Sequence, residues 1–158
     1  LYVPGKQLTL FDEENEVVKC KFCDIISGKI ASNVVYSDEH FIAFLDHKPL
    51  FKGHTLLVPR KHFENIYEMD EETSSKLMHE VQLISRAVEI ATSSDGTFIA
   101  INNKVSQSVP HVHVHIVPRK QKDGLKGFFW PRQEYGEGED REYANKIREQ
   151  IEKISSTR

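Results

Sequence analysis

Residues 108–119 read SVPHVHVHIVPR and set three histidines, His111, His113 and His115, at every second position. Imidazole can transfer protons, ligate metals and attack electrophiles near neutral pH, because its unperturbed pKa is about 6.5. The residues between the histidines, Val112 and Val114, are β-branched and favour a strand. Alternate side chains of a strand point to opposite faces. The three histidines therefore share one face, and Val112, Val114 and Ile116 share the other. A helix would bring only His111 and His115 together. Same-face neighbours on a strand are roughly 6.6 Å apart at the backbone, from a rise of ~3.3 Å per residue. That spacing suits metal ligation, and it equally suits histidines dividing tasks along one substrate.

A second group with chemistry is Cys20-x-x-Cys23. Two such thiols are half of a tetrahedral zinc site, which needs two more ligands. The plainer reading is a pair of small buried apolar groups.

These groups must be positioned by a fold, and the hydropathy pattern outlines one. Phe22, Ile25, Ile26 and Ile30 recur at near-helical spacing, with Gly28 as a stop. NVVYSD and FIAFLD read as an antiparallel hairpin around a polar turn. HTLLVPR is a third strand, which Pro59 either ends or confines to a sheet edge. A long amphipathic helix starts at Asp70, with Leu77, Val81, Ile84, Val88 and Ala91 on its apolar face. TFIAIN and HVHVHIV are strands four and five, and Tyr143, Ile147, Ile151 and Ile154 mark a terminal helix. The expected fold class is α+β, an antiparallel sheet of about five strands with helices packed on it.

The composition narrows the function. A net charge of -3 over 158 residues argues against a nucleic-acid polymer as partner. No apolar run approaches the roughly 18 residues of a membrane span. No basic-then-apolar leader opens the sequence, and two close cysteines make a poor disulfide framework. A reducing, cytoplasmic compartment is expected.

The motifs together resemble the histidine triad (HIT) family of nucleotide hydrolases and transferases. The resemblance rests on QSVPHVHVHIVPR, on AFLDHKPLFKGHTLLVPRKHFENI and on CKFCDIISGKI. It runs from about residue 20 to residue 119. Residues 1–19 then read as an extension, and residues 120–158 as a loop and helix that complete the domain. The resemblance implies that His113 attacks the phosphorus next to a nucleoside and forms a covalent nucleotidyl-histidine. It implies that His115, His54, Ser108 and the Gln107 amide serve the phosphate. Asp46 would accept from ribose hydroxyls. Phe22, Ile25 and Phe44 would hold the base, and Asn102 or Asn103 would contact phosphate or ribose.

By the same resemblance, Cys20, Cys23, His62 and His111 would bind a structural zinc, and no cofactor would be needed for the chemistry. His40 is a substitute ligand, while His47 and His79 read as surface or packing residues. A homodimer is also implied. The implied substrates are dinucleoside polyphosphates and nucleoside phosphoramidates. The competing functions are a nucleotide-binding regulatory module with little turnover, a nucleotidyl transferase or phosphorylase, and a metal-binding structural protein. Phe128, Phe129 and Trp130, flanked by Lys120, Lys122, Lys126 and Arg132, read as a flap, a dimer contact or core.

Overall fold

The computed structural model describes residues 19–125 and 133–157. The aromatic run Phe128–Trp130, Lys126 and Arg132 lie outside the described residues, as does nearly all of the N-terminal extension. The chain divides into two compact units, Leu1–Asp123 and Gly124–Arg158.

In the first unit, helix α1 spans Lys21–Ile26. Cys20 is its N-cap, and its sulfur accepts from the Cys23 amide at 3.4 Å. Gly28, at a φ of 80°, turns the chain out of it. Strands β1 (Val34–Ser37) and β2 (Phe41–Leu45) pair antiparallel. The turn between them is held by Asp38, whose Oδ1 accepts from the amides of His40 and Phe41 at 2.7 and 2.6 Å. Strand β3 (Thr55–Pro59) follows, then helix α2 (Glu71–Ala91), β4 (Gly96–Ala100) and β5 (Val114–Arg119). The sheet order is β1-β2-β3-β5-β4, and every neighbouring pair is antiparallel. Pro59 ends β3 and does not mark an edge, because β3 lies between β2 and β5. As the last residue of the strand, it removes little of the ladder.

Alternation builds two cores, one on each face of the sheet. On one face Phe41, Ala43, Leu57, Val114 and Ile116 pack against Leu77, Val81, Ile84 and Val88 of α2. Burying each large side chain contributes about 1.5–3 kcal/mol. The Asp70 carboxylate caps α2 by accepting from the Thr73 amide at 2.8 Å. Ala91 ends the helix exposed and lies outside this core. On the opposite face Ile42, Phe44, Leu56 and Val58 pack against Phe22 and Ile25 of α1. The second face is where the histidines emerge.

Val112 joins the α2 core with Val114 and Ile116, as the strand reading requires. The strand itself begins at Val114, not at His111. Residues 111–113 instead hang from β3 and its continuation: the Val112 amide donates to the Phe63 carbonyl at 2.8 Å.

In the second unit, helix α3 covers Glu139–Ser155 and carries the predicted stripe of Tyr143, Ile147, Ile151 and Ile154. No described helix is long and apolar enough to cross a membrane.

Gly53 joins the loop after β2 to β3. Its φ is +100°, and a Cβ there would stand 2.6 Å from the Thr92 methyl at the end of α2. Both its backbone and its packing demand glycine. Gly53→Ala should lower stability in urea titration by about 1–3 kcal/mol. Adding Thr92→Ser, which deletes the clashing methyl, should recover part of that loss. Equal stability of wild type and Gly53→Ala would contradict the assignment.

Candidate active site

His111 is fully buried, and its Nε2–H donates to the Pro59 carbonyl at 2.8 Å. A carbonyl can only accept, so the proton sits on Nε2 and the lone pair on Nδ1. That Nδ1 lies 3.4 Å from the Cys20 sulfur and 3.5 Å from the Cys23 sulfur. The His62 Nδ1 is 3.4 Å from the Cys23 sulfur. The four ligand atoms all lie within 4.8 Å of one another. Tetrahedral zinc bonds of about 2.3 Å to sulfur and 2.0–2.1 Å to nitrogen place those atoms about 3.5 Å apart. The donor set, the spacing and the His111 tautomer therefore fit zinc, and the carbonyl behind His111 is the usual outer support of a metal-bound imidazole. Burial, opposed by the Pro59 hydrogen bond, lowers the His111 pKa to about 4 and keeps its lone pair free. Burial and the neighbouring Cys20 thiol push Cys23 up to about 11. The substitute ligand, His40, stands elsewhere, beside Lys76 and Glu39.

His113 is buried two residues on. Its Nδ1–H donates to the His111 carbonyl at 2.7 Å, which leaves the Nε2 lone pair free. Its ring meets the edge of Phe22 at 5.0 Å and that of His115 at 4.9 Å. Burial lowers its pKa, partly offset by the His111 carbonyl and the Asp46 charge.

His54 and His115 are set by a chain of donors. The Leu50 amide donates to His54 Nδ1 at 3.1 Å. The His54 proton must then lie on Nε2, from which it reaches His115 Nδ1 at 3.0 Å. His115 in turn carries its proton on Nε2, as a donor. Burial, then the neighbouring His113 and His54, lower the His115 pKa to about 4. Asp46 lies 3.8 Å from His54 and favours charge there, while burial opposes it and dominates. Asp46, His54 and His115 also cluster within 4.8 Å. They do not fit a cation, because the Leu50 amide commits His54 Nε2 to donating.

A cavity of about 590 Å³ is walled by Phe22, the ring that meets His113, and by His47; His54, His111, His113 and His115 are not part of its lining. Phe22, Ile25, Phe44, Asp46 and Ser108 line it. The Gln107, Asn102 and Asn103 side chains are engaged in holding a loop. Gln107 accepts from the Lys104 amide at 2.8 Å and donates to the Glu64 carbonyl. Asn103 accepts from the Ile66 amide at 3.0 Å, and Asn102 donates to the Ser106 carbonyl at 3.2 Å. That loop carries Lys104 and Ser106 at positive φ, 68° and 59°, so such pinning stabilises a costly backbone. The Leu50 amide and the Pro59 carbonyl were missed from sequence, since a main-chain group has no residue signature. Ile30 and Leu56 also line the cavity, and apolar type alone does not separate them from core.

The HIT domain model matches residues 27–122. The chain belongs to the HIT family. A crystal structure of a HIT family member from Bacillus subtilis is 40% identical, with a TM-score of 0.76 over 83% of this chain and 96% of that one. A zinc-bound histidine triad family protein from Mycobacterium smegmatis is 32% identical, with a TM-score of 0.65 over 89% of this chain and 98% of its own. An adenylylsulfatase from Arabidopsis thaliana is 36% identical over 108 residues, 67% of this chain and 55% of the relative. These HIT structures carry the five-stranded antiparallel fold found here.

The hydrogen bonds fix three tautomers that solution NMR can read. Long-range ¹H–¹⁵N spectra should show His113 protonated on Nδ1, and His54 and His115 on Nε2. His113 protonated on Nε2 would contradict the geometry.

Proposed function

We propose that this HIT protein hydrolyses nucleotide derivatives at the phosphorus next to the nucleoside, through a covalent intermediate on His113. The observation that carries this reading is the His113 ring. Its Nδ1–H is held by the His111 carbonyl, which leaves the Nε2 lone pair free, and its ring meets Phe22, which lines the cavity together with Asp46 and Ser108. A neutral imidazole so held is a competent nucleophile.

In the proposed reaction Nε2 attacks phosphorus, a P–N bond forms, and the bond to the leaving group breaks with its electron pair. Charge on the non-bridging oxygens is met by His115 Nε2–H and by the Ser108 hydroxyl. Water then cleaves the P–N bond, returning His113 and releasing a nucleoside monophosphate. Asp46 accepts from the ribose hydroxyls, as carboxylates do in other nucleotide sites. Phe22, Ile25 and Phe44 cover the base. Dinucleoside polyphosphates and nucleoside phosphoramidates both present the required phosphorus. The adenylylsulfatase relative supports hydrolysis of a nucleotide derivative.

Cys20, Cys23, His62 and His111 would hold a zinc ion. The zinc-bound neighbour supports this reading. When bound, the ion supplies a rigid crosslink between α1, the segment after β3 and the start of the histidine run. His111 then has two tasks: Nδ1 for the metal, and its carbonyl for His113.

Two outcomes test the reading. His113→Ala should lower turnover of a nucleotide substrate panel by more than about 10⁴-fold while nucleoside monophosphate binding survives. Full turnover in that variant would sink the mechanism. Metal analysis of the purified protein should find one zinc per chain, lost in Cys23→Ser. Retention of zinc by that variant would contradict the ligand set.

A further inference from the structure

Two further cavities adjoin on the α2 side of the sheet. The larger, about 350 Å³, runs along α2 past Leu83, Ala87 and Ala91. Val35 of β1 and Leu45 of β2 lie in its other wall. Val35, Leu45 and Leu83 are exposed although they are large and apolar. Alanines on two successive turns of the helix leave the space beside them open. The polar side chains of this lining are already spent: Thr55 donates to the Gly53 carbonyl at 2.9 Å, and Tyr36 donates to Asp38 at 2.8 Å. The groove offers apolar contact.

The smaller cavity, about 260 Å³, has Lys52, Lys120, Thr92 and Ser94 in its lining. Thr92 lines both cavities, and Lys52 of one precedes Gly53 of the other. The Thr92 hydroxyl donates to the Val88 carbonyl at 2.7 Å, so its contact with Ser94 at 2.6 Å uses the Ser94 proton. Asp123, also in the lining, accepts from Arg119 at 2.6 and 3.0 Å. The ammonium groups of Lys52 and Lys120 remain, and neither has a partner among the described residues. An apolar groove thus ends at two unpaired cations, in a chain whose net charge is -3.

We propose that the two cavities together bind a medium-chain alkyl carboxylate, its chain along α2 and its head at Lys52 and Lys120. From Leu83 to Thr92 the helix rises about 13.5 Å, the length of an extended chain of about ten carbons. The apolar walls disfavour a polar tail, and the lysines favour an anionic head over a cationic one. Lysine stems cover the last carbons while their ammonium groups stay at the head. The site is separate from the nucleotide reading above, because neither lining includes His54, His113, Asp46 or Ser108.

The test is calorimetric titration of the full chain with octanoate, decanoate and decylammonium, each below its micelle concentration. Decanoate should bind about tenfold tighter than octanoate, from two more buried methylenes. Decylammonium, the same chain with the opposite head, should bind about tenfold more weakly than decanoate. Ala87 is exposed, so Ala87→Trp fills the groove without entering the core. That variant should lose decanoate binding with its thermal unfolding unchanged. Lys52→Glu combined with Lys120→Glu should reverse the preference between decanoate and decylammonium. No decanoate binding by wild type would overturn the proposal, and so would equal binding of the two ten-carbon ligands. Decanoate binding that Ala87→Trp leaves intact, or that adenosine monophosphate displaces, would place the chain elsewhere and overturn it too. Binding that weakens as protein concentration rises would assign the groove to a second copy of the chain instead.

Discussion

The hydrogen bond from His113 Nδ1–H to the His111 carbonyl decides which nitrogen of His113 can react. Without it, imidazole exchanges freely between tautomers and Nε2 carries the lone pair only part of the time. The bond joins residues two apart in sequence, so it requires a particular backbone conformation at 111–113. That stretch is not part of β5. It is held from outside, by the Phe63 carbonyl on the Val112 amide and by the Pro59 carbonyl on the His111 ring. The zinc-fitting group of Cys20, Cys23 and His62 surrounds the same His111 ring. The proposed nucleophile is thus positioned by main-chain carbonyls and by the group that fits zinc, not by a carboxylate partner.

The sheet makes this arrangement possible by having two cores. The α2 side consumes Val112, Val114 and Ile116, which frees the other side of the same segment for imidazoles. The α1 side is smaller, and it places Phe22 against both Phe44 and His113. One aromatic ring therefore bridges core and site. Burial on this side also keeps the histidines neutral, which nucleophilic attack and metal ligation both require.

Much of this was legible in the sequence, for reasons of periodicity. The alternation of valine and histidine announced two faces, and the steps of Leu77, Val81, Ile84 and Val88 announced α2. The cysteine pair and the two histidines implied as its partners do meet in space. Other features were not legible. The stretch before Val114 is tied by hydrogen bonds to the Pro59 and Phe63 carbonyls, which sequence alternation does not encode. The tautomers of His54 and His115 descend from the Leu50 amide, a group every residue but proline has. Asn102, Asn103 and Gln107 do not show by type what they bind. Only their partners show that all three hold a loop.

The central claim is that the Nε2 atom of His113 forms a bond to phosphorus. The direct measurement is tryptic mass spectrometry of protein quenched during turnover of a nucleotide substrate under conditions that preserve a phosphorus–nitrogen bond. The account predicts a nucleoside monophosphate added to the peptide that contains residues 111–115, with fragmentation placing it on His113. An adduct on another residue, or turnover with no adduct under rapid quench, would contradict it.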